Sequence, residues 1–454
     1  MPSRRRFIAM GLAGGLIPLS AHAQQSAELR LLWDVAGGAT TEAEDALATI
    51  RKDNRRDLAA GLILALRFVP ERQTEIGQTL AALTGETNAK DWFDWMLWQE
   101  KHPEFEPHPA FIDFMRDLYL RIDPEFDTFL RADYLTRDRA KIRAEEMTWG
   151  GVVKDGIPAL DNPALLEAAQ ASYLRDDDLV FGVAINGDVR AYPLRIMGWH
   201  EMFNEVIGGV PVALAYCTLC GSGILYETKV KGRAKPLVFG SSGFLYRSNK
   251  LMFDRATLSL WNQFTGKPVT GKLANSGIEL QQRPVVIARW DDWRTANPAT
   301  KVLALETGYR RDYGSGVVYN EYFASDDLMF PAVADQSRQQ QKDYVFGIRR
   351  FGGAKAWPLT AFKKNPVIND SVADFPVVLL GDADSRSARA YERGSLSFEM
   401  KAARLTSDDG AVWEAQEEAL IAEDGRRLER VAGHVAYWFA WDGYLGDGAE
   451  LYAE

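Results

Sequence analysis

Residues 180–214 recur at 345–379 without a gap. Eleven of the 35 positions are identical, among them Val180, Phe181, Gly182, Gly187, Pro193, Asn204 and Pro211, which fall on Val345, Phe346, Gly347, Gly352, Pro358, Asn369 and Pro376. Two stretches this alike within one chain must satisfy one backbone plan, which removes most alternative folds at once. Each copy reads as a hairpin with glycine at its turn, an aromatic-Pro-Leu strand end, a helical connector and a Pro-Val strand. Asn186-Gly187 supplies the hairpin chemistry in the first copy, since both residues tolerate the positive φ of a two-residue turn. Fainter echoes pair Tyr246 and Phe253 with Tyr391 and Phe398, and Leu280, Trp290 and Trp293 with Leu428, Trp438 and Trp441. The pattern predicts an internal duplication: two copies of a β-rich module, at 140–320 and 340–454.

Residues 27–135 have a different texture. Apolar residues there recur at helical spacing, as with Leu58, Leu62, Ala65 and Leu66. Helices are expected over 41–52, 74–83, 89–99 and 110–120, the last after a break at Pro103, Pro107 and Pro109. Trp92, Trp95 and Trp98 stand three apart, which places them in a core rather than in a ligand cage. The fold class is therefore α+β, a helical N-terminal domain followed by two β-rich modules.

The first 23 residues read as a secretory leader. Arg4, Arg5 and Arg6 precede Phe7-Ile8 and a short glycine-diluted apolar run that ends in Ala21-His22-Ala23, a small-x-small cleavage pattern. Paired arginines in this setting indicate the twin-arginine route and a periplasmic destination. The run is too short to span a bilayer, which takes about 20 apolar residues, so no stable membrane span is expected after cleavage. Loss of the leader leaves 50 basic and 63 acidic residues. That balance argues against nucleic acid and against an anionic lipid surface, both of which need clustered cations. The helical domain is left as the candidate surface for a protein partner.

Two copies of one unit provide an internal control for chemistry. Cys217 and Cys220 fall on Asp382 and Ser385, His200 on Asn365, and Met252 on Ser397. The second copy thus lacks each imidazole and sulfur ligand that the first offers. Cys217 and Cys220 are the only cysteines, so a disulfide framework is excluded and the pair acts locally. A Cys-x-x-Cys turn at a strand end points both sulfurs into one small volume. There they bind a soft metal, act as a thiol–disulfide redox pair, or remain inert. With His200 and Met252 they form a soft ligand set that favours copper ahead of zinc. Asp254, Arg255 and Glu201 are candidates for orienting those ligands. His102, His108 and His434 have no sulfur or acid neighbour that marks them as ligands and are read as structural. No nucleotide-binding glycine loop, G-x-S-x-G elbow or H-E-x-x-H motif is present, so no nucleotide cofactor is expected.

The stretches Asp155-Gly156-Ile157-Pro158, Arg190-Ala191-Tyr192-Pro193-Leu194, His200-Glu201, Tyr216-Cys217-Thr218-Leu219-Cys220-Gly221-Ser222, Gly240-Ser241-Ser242-Gly243 and 254–261 resemble a prokaryotic family known as domain of unknown function 3179. The likeness runs from Met147 to Tyr309 and continues more weakly to the C-terminus. It departs from the family at Thr218, where proline is usual, and at Glu205, where aspartate is usual. The resemblance implies an exported or membrane-associated protein with a cysteine-centred site, and no particular reaction. Three functions stay open: metal binding or handling, thiol–disulfide redox chemistry, and a non-catalytic envelope protein that works by interaction.

The leader carries its own test. Replacing Arg4, Arg5 and Arg6 by lysine should leave unprocessed precursor in the cytoplasm, because this route reads arginine specifically. Normal processing to an N-terminus near Gln24, read by N-terminal sequencing of the exported fraction, would rule the route out.

Overall fold

A computed structural model describes residues 26–453; the expected leader lies outside them. Six helices of eight or more residues open the chain: Ala27–Gly37, Thr40–Lys52, Ala59–Leu66, Gln73–Thr84, Trp92–Lys101 and Ala110–Leu120. Asp91 starts the fifth by accepting from the Asp94 backbone N–H at 3.1 Å. Ala59–Leu66 is buried all round, and Leu32 packs so closely on Gly61 that a Cβ there would overlap it. Trp95 and Trp98 are buried edge to face, 5.6 Å between centroids, in the predicted core role.

The helical core does not stop at the predicted boundary. Tyr119, Phe126 and Phe129 pack on Phe244, and Phe129 also meets Phe253. Phe244 and Phe253 belong to the strands Phe239–Tyr246 and Asn249–Asp254, the centre of a five-stranded sheet that Met147–Trp149 edges. Helices and sheet therefore close one apolar interior.

The β-rich remainder confirms the α+β class, and the repeated hairpins of its two halves share strand partners and register. Leu179–Ile185 pairs antiparallel with Asp188–Pro193 through Val180↔Pro193 and with Val286–Arg289 through Phe181↔Ile287. In the second half Val345↔Pro358 and Phe346↔Val435 make the same pairs. A parallel strand then joins each hairpin, at Ala191↔Val302 and Ala356↔Leu451. Trp293 and Trp441 lie on Gly182 and Gly347, where any Cβ would overlap the indole. Asn204 exchanges two hydrogen bonds with the Phe239 backbone, and Asn369 exchanges two with Phe398. Glu205 accepts from Tyr192 and Arg190; Asp370, its counterpart, accepts from Trp357 and Lys355. The carboxylate at this position braces a strand, and the longer glutamate serves as well.

The register corrects two sequence matches. Tyr391 answers to Tyr226, since Ser222–Glu227 and Ser387–Glu392 hold the same place. Phe398 answers to Phe239 rather than Phe253. Met252 consequently aligns with Leu405, each paired across its strand with a tryptophan, Trp261 or Trp413. The echoes paired Tyr246 and Phe253 at an offset of 145, whereas the ladder keeps 165 through Tyr226 and falls only to 159 at Phe239 and 153 at Met252.

Where the helices meet the sheet lies a buried charge cluster. Arg247 reaches Glu146 at 2.6 Å and Glu100 at 3.6 Å, while Arg143 holds Glu146 at 2.5 Å. Burial, with Glu146 adding repulsion, raises the Glu100 carboxyl from 4.5 to about 7, against the pull of Arg247. A folded value above the unfolded one means stabilising proton uptake that is complete below about pH 4.5 and lost as pH rises to about 7. At about 1.4 kcal/mol per unit this amounts to roughly 3 kcal/mol. Melting temperatures taken from pH 5 to 8 should therefore show Glu100→Gln gaining on the wild type as pH rises. A constant difference across that range would refute the assignment.

Candidate functional site

The strand Val210–Cys217 ends on Cys217, and the chain turns back through Thr218–Gly221 into Ser222–Glu227. Cys217 and Ser222 face each other in the ladder, and the Cys220 N–H donates to the Cys217 carbonyl at 3.1 Å. Gly221 has φ +60°, and the Tyr344 and Tyr437 rings crowd its Cα on the side a Cβ would take. This turn sets the two sulfurs 2.7 Å apart as free, buried thiols. In the second half the same turn is closed by Ser385, whose hydroxyl donates to Asp382 at 2.5 Å. The fold supplies the geometry; the first half fills it with sulfur.

Polar groups surround the sulfurs on two sides. The Asn249 amide donates to the Cys220 Sγ at 3.1 Å and to Gln263 Oε1 at 2.9 Å, and Gln263 donates back to the Ala215 carbonyl at 2.8 Å. The Cys220 thiol also lies 3.6 Å from the Ser248 carbonyl. On the other side Glu201 accepts from Thr218, one of the two residues between the cysteines, at 2.8 Å, from Lys250 at 2.9 Å and from Tyr319 at 3.3 Å. Lys250 and Glu201 form a buried ion pair, each side chain under a tenth exposed. Glu201 is left-handed at φ 54°, and it aligns with Pro366 in the second half. Burial pushes the Cys220 thiol well above its usual value, Cys217 adds to the rise, and the Asn249 donor opposes it. Ser248 Oγ and Asn249 Oδ1, both buried beside the sulfur, have no partner among the described residues.

A segment from 305 to 325 covers this chamber. Tyr322 donates to the Leu219 carbonyl at 2.6 Å, Tyr319 reaches Glu201, and Tyr313 meets His200.

The candidate residues separate. Cys217, Cys220 and Met252 share one apolar cluster with Phe239 and Trp261. His200 is fully buried with both ring nitrogens engaged elsewhere. Its Nδ1 lies 2.9 Å from the Pro158 carbonyl, which can only accept, so Nδ1 carries the hydrogen. Nε2, 2.5 Å from the Tyr313 hydroxyl, is the acceptor there. Burial lowers the imidazole pKa and keeps the ring neutral. Among the described residues no three His, Cys, Asp or Glu side chains converge to hold a metal ion. Glu201 supports the cysteine turn through Thr218. Asp254 instead caps its own turn, accepting from the Thr257 N–H at 2.6 Å and Trp261 Nε1 at 3.0 Å. Arg255 pairs with Asp155 at 2.9 Å rather than with Asp254. His434 is buried and neutral, its pKa lowered by burial to about 3, with Nδ1 3.2 Å from Gln282 Nε2. Asn249, Lys250, Gln263 and the three tyrosines were missed as site residues. Only Lys250 carried a signal, as a cation in an otherwise apolar strand pattern.

Among the described residues no helix is long and apolar enough to cross a membrane. No curated protein and no solved structure matches the chain. A family described as protein of unknown function (DUF3179) matches residues 154–448, which include the repeated hairpins of both halves and the whole of the cysteine site. By that match over more than half its length, the chain belongs to the DUF3179 family of proteins of unknown function.

Proposed function

We propose that the protein is an exported, periplasmic redox protein whose working group is the Cys217–Cys220 dithiol. The observation that carries this reading is the 2.7 Å approach of two free thiols inside a polar chamber. Two thiols that close need little backbone movement to bond, and an oxidising compartment favours the bond. The oxidant is a low-molecular-weight disulfide, because both sulfurs are too buried to meet another protein's active site directly. One thiolate attacks it, releasing one small thiol. The second cysteine sulfur displaces the other. Two cysteine S–H bonds are lost, one S–S bond forms, and two small thiols leave with the two electrons and two protons.

The shared cluster of Met252 with both cysteines favours a second reading, soft-metal binding, with copper ahead of zinc. In that reading two thiolates and the Met252 thioether are the ligands. His200 would have to give up its bond to Tyr313 to join them.

The folded protein, treated with a small disulfide, should lose both thiols together and gain one internal bond, read by alkylation and intact mass. The high Cys220 pKa sets the sign of the pH dependence: oxidation should keep accelerating above the ordinary thiol range, since the thiolate attacks. Removing the opposing donor in Asn249→Leu should shift that rise to higher pH. A pair that stays reduced in the native fold at every pH would refute redox function. Stoichiometric copper in protein folded in the cytoplasm, lost in Cys217→Ser and Cys220→Ser, would move the conclusion to metal binding. Neither dithiol oxidation nor stoichiometric copper in the wild type would favour an envelope interaction protein.

A further inference from the structure

Behind the cysteine chamber lies an open cleft of about 550 Å³, within the range of small-molecule sites. It forms where three parts of the chain meet. Lys141 and Ile142 come from the segment leaving the helices, Arg247, Lys267 and Ile278 from the first β-rich half, and Tyr444 from the last helix. The Lys141 backbone N–H donates to the Val269 carbonyl at 2.8 Å, which fixes one wall. Tyr444 commits its hydroxyl to the Tyr246 carbonyl and stacks one face on Phe264 at 5.4 Å, so it offers the cleft carbon rather than a phenol.

The charge of this lining opposes that of the molecule. The chain carries a formal net charge of −10, yet the cleft presents Lys141, Arg247 and Lys267 against Glu279 alone. Glu279 is already shared between Lys267 at 3.2 Å and Arg349 at 3.0 Å. The acids that hold Arg247, Glu100 and Glu146, stand outside the lining. The Lys141 ammonium has no partner among the described residues. Cations at the edge of an apolar, aromatic-walled cleft are complementary to an organic anion with an apolar body.

We propose that this cleft binds an amphipathic organic anion, a carboxylate or sulfonate carried on an aromatic or aliphatic frame. The assignment goes beyond the dithiol reading and does not require it. The anionic group sits between Lys141 and Lys267, and the frame lies along Ile142, Ile278 and the Tyr444 ring.

The test uses 8-anilinonaphthalene-1-sulfonate with the full folded chain. Its fluorescence should rise saturably, and decanoate should displace it where decanol does not. The exposed double variant K141E/K267E should weaken binding by about tenfold, two charge reversals at close range, with an unchanged melting curve. Ile278→Trp, which fills the cleft from its rim, should weaken it without any change of charge. Cys217→Ser/Cys220→Ser should bind the probe as the wild type does, so a failure of the dithiol chemistry leaves this outcome intact. No saturable signal from native protein, or binding indifferent to both variants and displaced equally by decanol, would overturn the proposal.

Discussion

The site rests on one backbone hydrogen bond between the halves: the Tyr437 N–H donates to the Cys220 carbonyl at 2.7 Å. Tyr437 ends the strand His434–Tyr437, and its ring, with that of Tyr344, closes over Gly221. The half without sulfur is thus the floor on which the sulfur turn is laid. Packing joins the halves as well. Phe181, Leu214, Phe346, Trp357 and Val377 share one core drawn from both, and either half alone would expose it to water, at about 25 cal/mol for each Å².

The chamber is expensive to build. Burying Lys250 and Glu201 strips water from two charges, and their attraction offsets that cost only with further hydrogen bonds, which Thr218 and Tyr319 provide. Arg247 and Ser248 adopt φ of 48° and 60° in the turn leading to Asn249, a conformation that disfavours side chains. Arg247 is held there by Glu146 and by the Gly443 carbonyl at 3.1 Å. The second half repeats that left-handed pair at Ala402–Ala403, but it closes the equivalent cysteine turn with a plain Asp–Ser bond and has Pro366 where Glu201 stands, so the fold alone does not demand the ion pair. What sets the first half apart is its sulfur and the Lys250–Glu201 pair, since the second half has a buried charge group of its own, Arg389 and Arg430 on Glu417.

Much of this was legible in the chain. Ungapped identities of Gly, Pro and Asn exposed the shared hairpin, because those residues answer to backbone geometry that both halves need. The substitution of Asp382 and Ser385 for the cysteines singled out the pair. His200 misled, since softness and sequence proximity say nothing about where an imidazole's nitrogens point; a carbonyl at Pro158 and a phenol at Tyr313 took them. Nor did periodicity show that the helices share their core with a sheet, because it marks a buried face and not what buries it. Asn249 and Gln263 were invisible because their partners lie across separate strands, set by a register that insertions displaced.

The tyrosine-fastened cover over the chamber has a kinetic consequence. Reagents meet Cys220, with no exposed surface, only while the cover or its neighbours have locally opened. If closing is faster than reaction, the observed rate is the intrinsic thiol rate multiplied by the opening equilibrium constant, as in amide hydrogen exchange. Each tyrosine bond then acts as a multiplicative brake, about fivefold for a typical 1 kcal/mol hydrogen bond. The sulfur pair becomes a built-in clock for the breathing of its own lid.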